Sequence, residues 1–451
     1  MKPYSKYKQT GITWIGEIPQ DWYLSKLKWL ITSNDGGVWG NDPMENGTRV
    51  LRSTEISVDG KWNNLKDSAY RDLSDAEIRK SKVEIGDLII TKSSGSELHI
   101  GKTAVVDKRI TSEITCYSNF MQRIRPNTKM NSQFGYWYLN SQISRVQYQI
   151  FSNTTTGLAN LNSDTISNLY IPISVDTSMQ KKIASYLNYK IFLIDNLISK
   201  NKQLIQLLEE KKQATINQVV TKGLDPTVKM KDSGIEWIGK VPEHWEIKPL
   251  FAIFSNNKTK NINQNEKNVL SLSYGRIIKR NVENNFGLLP SSFQGYQVVA
   301  SGYIILRLTD LQNDKKSLRV GLSKEHGIIT SAYIGLVPKN QLSNSQYYYY
   351  LLHSYDIGKV LYGLGNGVRQ TLNFSELKWL PLLSPSEEEL VKIAQYLDGY
   401  VEKIENKKNT LISQNLLLRE YRQTLISSAV TGKIDVRDEP IPEEFIKDQI
   451  L

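Results

Sequence analysis

GITWIGEIPQDW, at residues 11–22, returns 223 positions later as GIEWIGKVPEHW at residues 234–245. Seven of the twelve positions are identical, including both tryptophans and the proline. Internal repeats are informative about architecture because each copy encodes the same structural unit. We therefore predict two globular domains built on one framework. The recurring Trp14, Trp22, Trp237 and Trp245 are interpreted as core or packing residues of that framework.

A second block repeats further along each half. IASYL at residues 183–187 matches IAQYL at 393–397, and Val220-Thr221 matches Val430-Thr431. Between the matched blocks the two halves barely resemble each other. A shared framework with divergent middle segments suits two readers of different targets.

The blocks at 179–222 and 386–432 have a helical pattern. Their apolar residues recur at alternating spacings of three and four, which is the seam of a coiled coil and needs a partner helix. Polar residues interrupt this seam at Asn201, Lys212, Lys408, Asn415 and Arg422, and such breaks fix register at some cost in stability. The seam residues expected to pair the helices and to form the subunit interface are Leu187, Ile191, Ile194, Ile198, Ile205, Leu208, Leu397, Val401, Ile404, Leu411, Leu418 and Leu425.

The globular segments are predicted to contain short strands and helices. The apolar runs at 86–90 and 302–306 are each entered from a glycine and are typical of buried strands. The fold class is therefore α+β: two pseudo-repeated globular domains, each followed by a long helix, with the helices paired as an antiparallel coiled coil. The expected bounds are 1–178 and 223–385 for the globular domains, 179–222 and 386–432 for the helices, and 433–451 for an acidic, mobile tail.

Composition limits the function. Hydrophobic residues make up 39% of the chain, with no apolar run long enough to cross a bilayer and no apolar stretch behind Met1 to suggest a secretory signal. A single cysteine, Cys116, fits a reducing cytoplasm, and the four histidines are too scattered for a metal site. The net charge of +11 favours a polyanionic partner, although a basic protein without a nucleic-acid partner fits the charge equally well.

Motifs for catalysis are absent from the sequence. Five residues, not four, separate Gly95 from Gly101-Lys102-Thr103, which is not the spacing of a phosphate-binding loop. Asp87 and Lys92 lack the second acid that a nuclease metal site needs. Asn41-Asp42-Pro43-Met44 lacks the second proline and the aromatic residue of an adenine methyltransferase loop. We therefore predict a non-catalytic protein with no cofactor or metal of its own.

Candidate DNA contacts are polar residues on loops of the divergent middles. Arginine and glutamine can address guanine and adenine edges, whereas lysine and threonine more often hold phosphates. For each single residue, a solvated surface position is the competing interpretation. The candidates are Lys92, Ser93, Ser94, Lys102, Thr154, Thr155, Thr156, Arg307, Lys315, Lys316, Arg319, Arg369 and Gln370.

These features together resemble the specificity subunits of type I restriction–modification systems. The resemblance covers almost the whole chain and rests on the order domain, helix, domain, helix, on the repeated Trp-Ile-Gly motif, and on the endings VVTKGLD at 219–225 and AVTGKID at 429–435. It implies double-stranded DNA as partner, read as two half-sites by target-recognition domains, together with two modification subunits and motor-nuclease restriction subunits. It also implies that S-adenosylmethionine, ATP and magnesium are held by those partner subunits.

Two other functions remain open on the sequence alone. One is a self-sufficient nuclease or methyltransferase with duplicated recognition domains, which is disfavoured because no residues are left over for a catalytic domain. The other is a helical interaction scaffold without DNA, which the heptads by themselves would permit.

Overall fold

The computed structural model describes residues 2–43, 46–94, 99–151, 153–155, 158–280, 292–311, 313–314, 317–340, 345–363 and 371–447. The chain forms two compact units: unit 1 is Met1–Asn201 with Ile412–Leu451, and unit 2 is Lys202–Leu411. Each unit contains one globular head and one part of each long helix. Among the described residues, no helix is long and apolar enough to cross a membrane.

The head of unit 1 is built around a four-stranded antiparallel sheet of order β4-β11-β7-β9, flanked by smaller sheets. Its elements are β1 Tyr7–Gln9, β2 Glu17–Pro19, β3 Trp22–Lys26, β4 Ile31–Gly36, β5 Thr48–Leu51, β6 Ala69–Arg71, α1 Asp75–Ser81, β7 Leu88–Thr91, β8 Ser93–Ser94, β9 Thr103–Val105, β10 Thr115–Tyr117, β11 Met121–Pro126, α2 Ser132–Leu139, α3 Gln142–Phe151, β12 Asn153–Thr155, β13 Leu158–Asn160, α4 Ser163–Ser167, β14 Tyr170–Ser174 and the long helix α5 Thr177–Lys222.

The head of unit 2 repeats this plan, with a four-stranded antiparallel sheet of order β18-β25-β22-β23. The remaining elements of the chain are β15 Met230–Asp232, β16 Lys240–Pro242, β17 Glu246–Pro249, α6 Leu250–Ile253, β18 Phe254–Asn256, β19 Leu270–Ser273, β20 Arg276–Lys279, β21 Gln297–Val299, β22 Ile304–Leu306, β23 Val320–Leu322, β24 Gly327–Ile329, β25 Ile334–Pro338, α7 Ser345–Ile357, α8 Phe374–Leu377, β26 Pro381–Ser384, the long helix α9 Glu387–Val430 and α10 Glu443–Lys447. The last element, α10, belongs to unit 1.

The repeated motif supplies the centre of each core. Trp22 and Trp245 are fully buried, and each meets an aromatic ring edge-on: Phe134 at 6.3 Å in unit 1 and Tyr347 at 6.4 Å in unit 2. Trp237 is 48% exposed, so the prediction of a core position is wrong for this tryptophan. It lies in the turn before β16, where the chain presents it to solvent.

The long helices end on these cores. Ala429 and Val430, at the end of α9, belong to the unit 1 core with Trp22, and Val220, at the end of α5, belongs to the unit 2 core with Trp245. Within each unit the beginning of one helix therefore packs with the end of the other. The helices pair antiparallel, as predicted.

Every polar residue that interrupts the seam has a partner on the opposite helix. In unit 1, the Asn201 amide donates to the Asn415 side chain at 3.0 Å, and Arg422 donates to Asp195 at 3.1 Å. Within unit 2, Lys212 pairs with Glu405 at 2.7 Å, and Lys408 pairs with Glu209. Because these groups are satisfied in one alignment, a shifted helix pair would leave them unpaired.

The acidic tail packs onto unit 1, so the prediction of a mobile end is wrong for residues 433–447. Val436 is fully buried in the unit 1 core, and the Asp435 N–H donates to the Lys2 carbonyl at 2.8 Å. Further on, the Phe445 ring of α10 lies 5.1 Å from Tyr189. Apolar residues among the acidic ones cover apolar surface of the head and of α5, which composition alone does not reveal.

Candidate nucleic-acid interface

Four of the predicted contact residues in unit 1 meet on one small sheet. Ser93 and Ser94 form β8, Thr154 and Thr155 lie on β12, and β13 pairs with both strands. The β13 side is fixed to the first loop because the Leu161 N–H donates to the Lys92 carbonyl at 2.8 Å. Two segments that are far apart in sequence therefore lie on one small sheet next to Lys92.

A cluster of hydrogen-bonded polar side chains lies next to Lys92 and the small sheet. The Gln122 amide donates to Asn34 at 2.8 Å and to Ser163 at 2.9 Å, and its carbonyl oxygen lies 3.5 Å from the Lys92 ammonium. The Ser93 hydroxyl donates to Asn160 at 2.8 Å. These bonds hold the ends of the loops in a fixed position. Selective recognition of DNA bases requires side chains that are positioned in this way.

Sequence reasoning missed Asn34 and Gln122 because both lie on strands rather than loops. Gln122 follows Met121 at the start of β11 and is fully buried there, which the sequence alone does not reveal. Lys92 itself is half-buried, and burial lowers the pKa of its ammonium. A partly desolvated cation of this kind interacts more strongly with a nearby phosphate than a fully hydrated one.

The prediction that Lys102 contacts DNA is contradicted by its position. Its side chain is buried, with 4% exposure, and the ammonium donates to the carbonyls of Ser53 at 3.0 Å and Ile56 at 2.6 Å. Burial, with a contribution from nearby Arg145, lowers the pKa of Lys102. Lys102 therefore ties the loop end to the head and is not available at the surface.

Unit 2 has the same backbone hydrogen bonds at the ends of its two loops. The Leu372 N–H donates to the Leu308 carbonyl at 2.9 Å, as Leu161 does to Lys92 in unit 1. The Arg307 N–H donates to the Arg319 carbonyl at 2.9 Å, which matches the bond from Thr91 to Lys102. After each second loop a short helix starts with an asparagine cap, Asn162 on α4 and Asn373 on α8. The framework around the two loops is thus shared, while the loop sequences differ.

Arg319 takes the place of Lys102 and has the same role, so its predicted DNA contact is also contradicted. The side chain is fully buried, and its guanidinium donates to the carbonyls of Arg307 at 3.1 Å and Thr309 at 2.8 Å. The backbone N–H of Arg319 donates to Asp356 at 2.7 Å. A buried cation that satisfies several loop carbonyls stabilises the loop's fold.

Arg307 is the remaining candidate of unit 2 that lies among the described residues. The Arg307 side chain is 33% exposed and pairs with Asp314 at 3.2 Å. Five predicted contacts lie outside the described residues: Thr156, Lys315, Lys316, Arg369 and Gln370. Arg369 and Gln370 precede Thr371, which leads directly into the bonded residue Leu372.

The twelve residues predicted for the helix seam all lie at low exposure. Leu187, Ile191, Ile194, Ile198, Leu397, Ile404 and Leu425 are buried. The other five, Ile205, Leu208, Val401, Leu411 and Leu418, are half-buried. Beside the seam, Leu193 and Leu197 of α5 are exposed to solvent, with exposed fractions of 44% and 47%.

Comparison with known proteins finds a single family on both halves. The profile of the family described as "Type I restriction modification DNA specificity domain" matches residues 45–210 and 242–414. A relative from Methanocaldococcus jannaschii, "Putative type I restriction enzyme MjaX specificity subunit", is 24% identical over 441 residues, covering 96% of this chain and 98% of its own. A second relative from that organism, "Type I restriction enzyme MjaVIII specificity subunit", is 23% identical over 442 residues, covering 93% of this chain and 95% of its own.

Two solved structures share the fold. A chain from "Structural basis underlying complex assembly and conformational transition of the type I R-M system" has a TM-score of 0.68 at 14% identity and covers 92% of this chain and 99% of its own. The HsdS subunit from Thermoanaerobacter tengcongensis has a TM-score of 0.57 at 14% identity, with 92% and 98% coverage.

Proposed function

Because this chain belongs to the type I restriction modification DNA specificity domain family, we propose that it reads a bipartite DNA target, with one half-site per unit. It acts as the specificity subunit, with two recognition domains. The observation that supports a separate reading by each unit is the recurrence of the backbone bonds at the ends of the two loops. The same backbone bonds hold the loops in both heads, while the residues on them differ.

The loop chemistry suits this task. Serine, threonine and lysine side chains in unit 1 offer donors to phosphates and base edges, and unit 2 offers Arg307. Linking two modest half-site readers raises selectivity, because the second binding event becomes intramolecular. Both long helices contribute to both units, so we propose that they set the gap between the half-sites.

The proposed partners follow from the family. We propose that two modification subunits bind this chain in the cytoplasm, and that restriction subunits join them. On this proposal S-adenosylmethionine, ATP and magnesium are held by those partners, and this chain supplies target choice without catalysis.

The decisive experiment mixes purified chain with its modification subunits, radiolabelled S-adenosylmethionine and duplex DNA. Methyl transfer only in the complete mixture supports the proposal. Transfer or cleavage by the chain alone would instead favour a self-sufficient enzyme, and absence of transfer in any mixture would favour a scaffold.

Exchange of residues 1–170 with those of a relative tests the modular reading. We expect one half of the methylated target to change and the other to stay the same. The matched control is an exchange of the unit 2 head, residues 226–385, which should change only the other half. A change in both halves from either exchange would contradict one half-site per unit.

A further inference from the structure

The hairpin of β19 and β20 in unit 2 projects an aromatic side chain at its tip. Ser273 pairs with Arg276, which leaves Tyr274 and Gly275 as a two-residue turn. The Tyr274 side chain is 83% exposed. A tyrosine in this position buries almost nothing within unit 2.

Tyr274 also has an unfavourable backbone conformation. Its φ is 46° and that of Gly275 is 75°, so both turn residues are left-handed. Such hairpin turns strongly favour asparagine, aspartate or glycine at the first position, because other side chains strain the backbone there. Residues that keep such strain without a packing benefit are concentrated at functional sites.

The hairpin is a twisted ribbon with one packed and one open face. Leu270 and Ile277 pack in a small core of unit 2, whereas Ser271, Ser273 and Arg276 lie on the other face. The Arg276 side chain is 70% exposed, although it also lies 3.5 Å from Glu405. A two-stranded ribbon of this kind fits the major groove of duplex DNA.

The tip lies beside the end of the first candidate recognition loop of unit 2. A Cβ on Gly275 would stand 3.1 Å from the Leu318 Cβ, at the end of the loop that Arg319 anchors. The Tyr349 hydroxyl donates to the Gly275 carbonyl at 3.4 Å, which fixes the turn to α7. The backbone of the turn that carries Tyr274 is therefore held next to the end of this loop.

We propose that the β19–β20 ribbon is a DNA-reading element and that Tyr274 at its tip contacts bases of the half-site bound by unit 2. This inference rests on the proposed function of unit 2 as a half-site reader. The ring supplies apolar contact with the bases, and the fixed backbone of the turn reduces the conformational entropy that is lost on binding. We infer that the partner is duplex DNA, because the open face of the ribbon carries the hydroxyls of Ser271 and Ser273 and the Arg276 guanidinium, beside the exposed Ile278.

The test compares Tyr274→Asn with wild type in the complex with its modification subunits. The probes are a duplex carrying the target found by methylation profiling and a scrambled duplex. Asparagine tolerates the left-handed turn, so the variant should melt at the same temperature or higher. Affinity for the target should fall about tenfold, which corresponds to about 1.4 kcal/mol. Tyr274→Phe should keep most of the affinity.

Gln264→Asn is the matched control, because Gln264 is also exposed with a φ of 52° and lies in a separate turn. It should gain similar stability and keep full affinity. Equal affinity of Tyr274→Asn and wild type would overturn the inference and leave the proposed function standing. Weaker assembly with modification subunits at unchanged DNA affinity would also overturn it, by assigning the tip to a subunit contact. Failure of wild type to prefer the target over the scrambled duplex would overturn the proposed function itself.

Discussion

The Asn201–Asn415 pair offers a quantitative test of how the helices are aligned. Both side chains are more than nine-tenths buried, and their amides are joined by a bond of 3.0 Å. Replacing only Asn201 by leucine leaves the Asn415 amide buried without this partner. A buried polar group that loses its partner costs about 1–3 kcal/mol. Part of that is offset by the added apolar contact, so we expect a net loss of about 1–2 kcal/mol.

The double variant Asn201→Leu/Asn415→Leu should behave differently. Replacing both partners by apolar groups is close to neutral or stabilising, because no polar group is left unsatisfied. The two substitutions should therefore show a coupling energy of about 2–4 kcal/mol, which is the sum of the two single losses. For a unit of this size, each single variant should lower the melting temperature by roughly 2–8 °C, while the double variant should return to the wild-type value or above.

The assay is a double-mutant cycle by urea and thermal unfolding of the four proteins. Additive effects, with a coupling below about 0.5 kcal/mol, would refute the paired arrangement. Methylation profiling supplies an independent readout. A polar pair in the seam specifies register, so we expect the double variant to methylate targets with a less uniform gap than wild type. A unique wild-type gap in that variant would show that the other seam contacts fix the register.

Three further predictions concern other sites. Burial lowers the pKa of His353 from 6.5 to about 4, so the folded state binds fewer protons than the unfolded state in this range. The free energy of unfolding of unit 2 should therefore fall by on the order of 3 kcal/mol as the pH drops from about 6.5 to about 4, and thermal scans of His353→Phe should show a smaller loss. Lys102→Met should lower the melting temperature but leave the salt dependence of DNA binding unchanged. Lys92→Met should reduce the slope of log affinity against log salt concentration by about one, and the reverse pattern would contradict the positions assigned to the two lysines. Inserting one heptad into each long helix at the Asn201–Asn415 level adds about 10 Å, so the gap between half-sites should grow by about three base pairs, and an unchanged gap in methylation profiling would contradict the role of the helices.

The repeated elements could be predicted from sequence because their signals are local or duplicated. The seam pattern predicts both long helices, and the structure gives them as Thr177–Lys222 and Glu387–Val430. Apolar runs entered from glycine predict the central strands β7 and β22. Periodicity suffices in these cases, since each segment shows one face to a core.

The positions of loop cations could not be predicted in this way. Lys102 and Arg319 follow polar loops and look like surface residues, yet both are buried. Their partners are carbonyl groups, which leave no mark in the sequence, and those of Lys102 lie about fifty residues earlier, at Ser53 and Ile56. Burial of a charge depends on these distant groups, so it appears only when the fold is known.

The two repeated sequence blocks are the two sides of one contact, which explains why both recur. The motif with Trp22 receives the end of α9, and the motif with Trp245 receives the end of α5. A Cβ on Gly432, where φ is 68°, would stand 2.4 Å from the Pro19 ring, so this helix end must turn away through a glycine. At the end of α5, Gly223 has a φ of 75°, and a Cβ there would stand 3.3 Å from the Trp245 ring. Each head is thus completed by the helix that follows the other head. A head can therefore be exchanged for another without loss of its core, provided that the replacement keeps the same tryptophan motif.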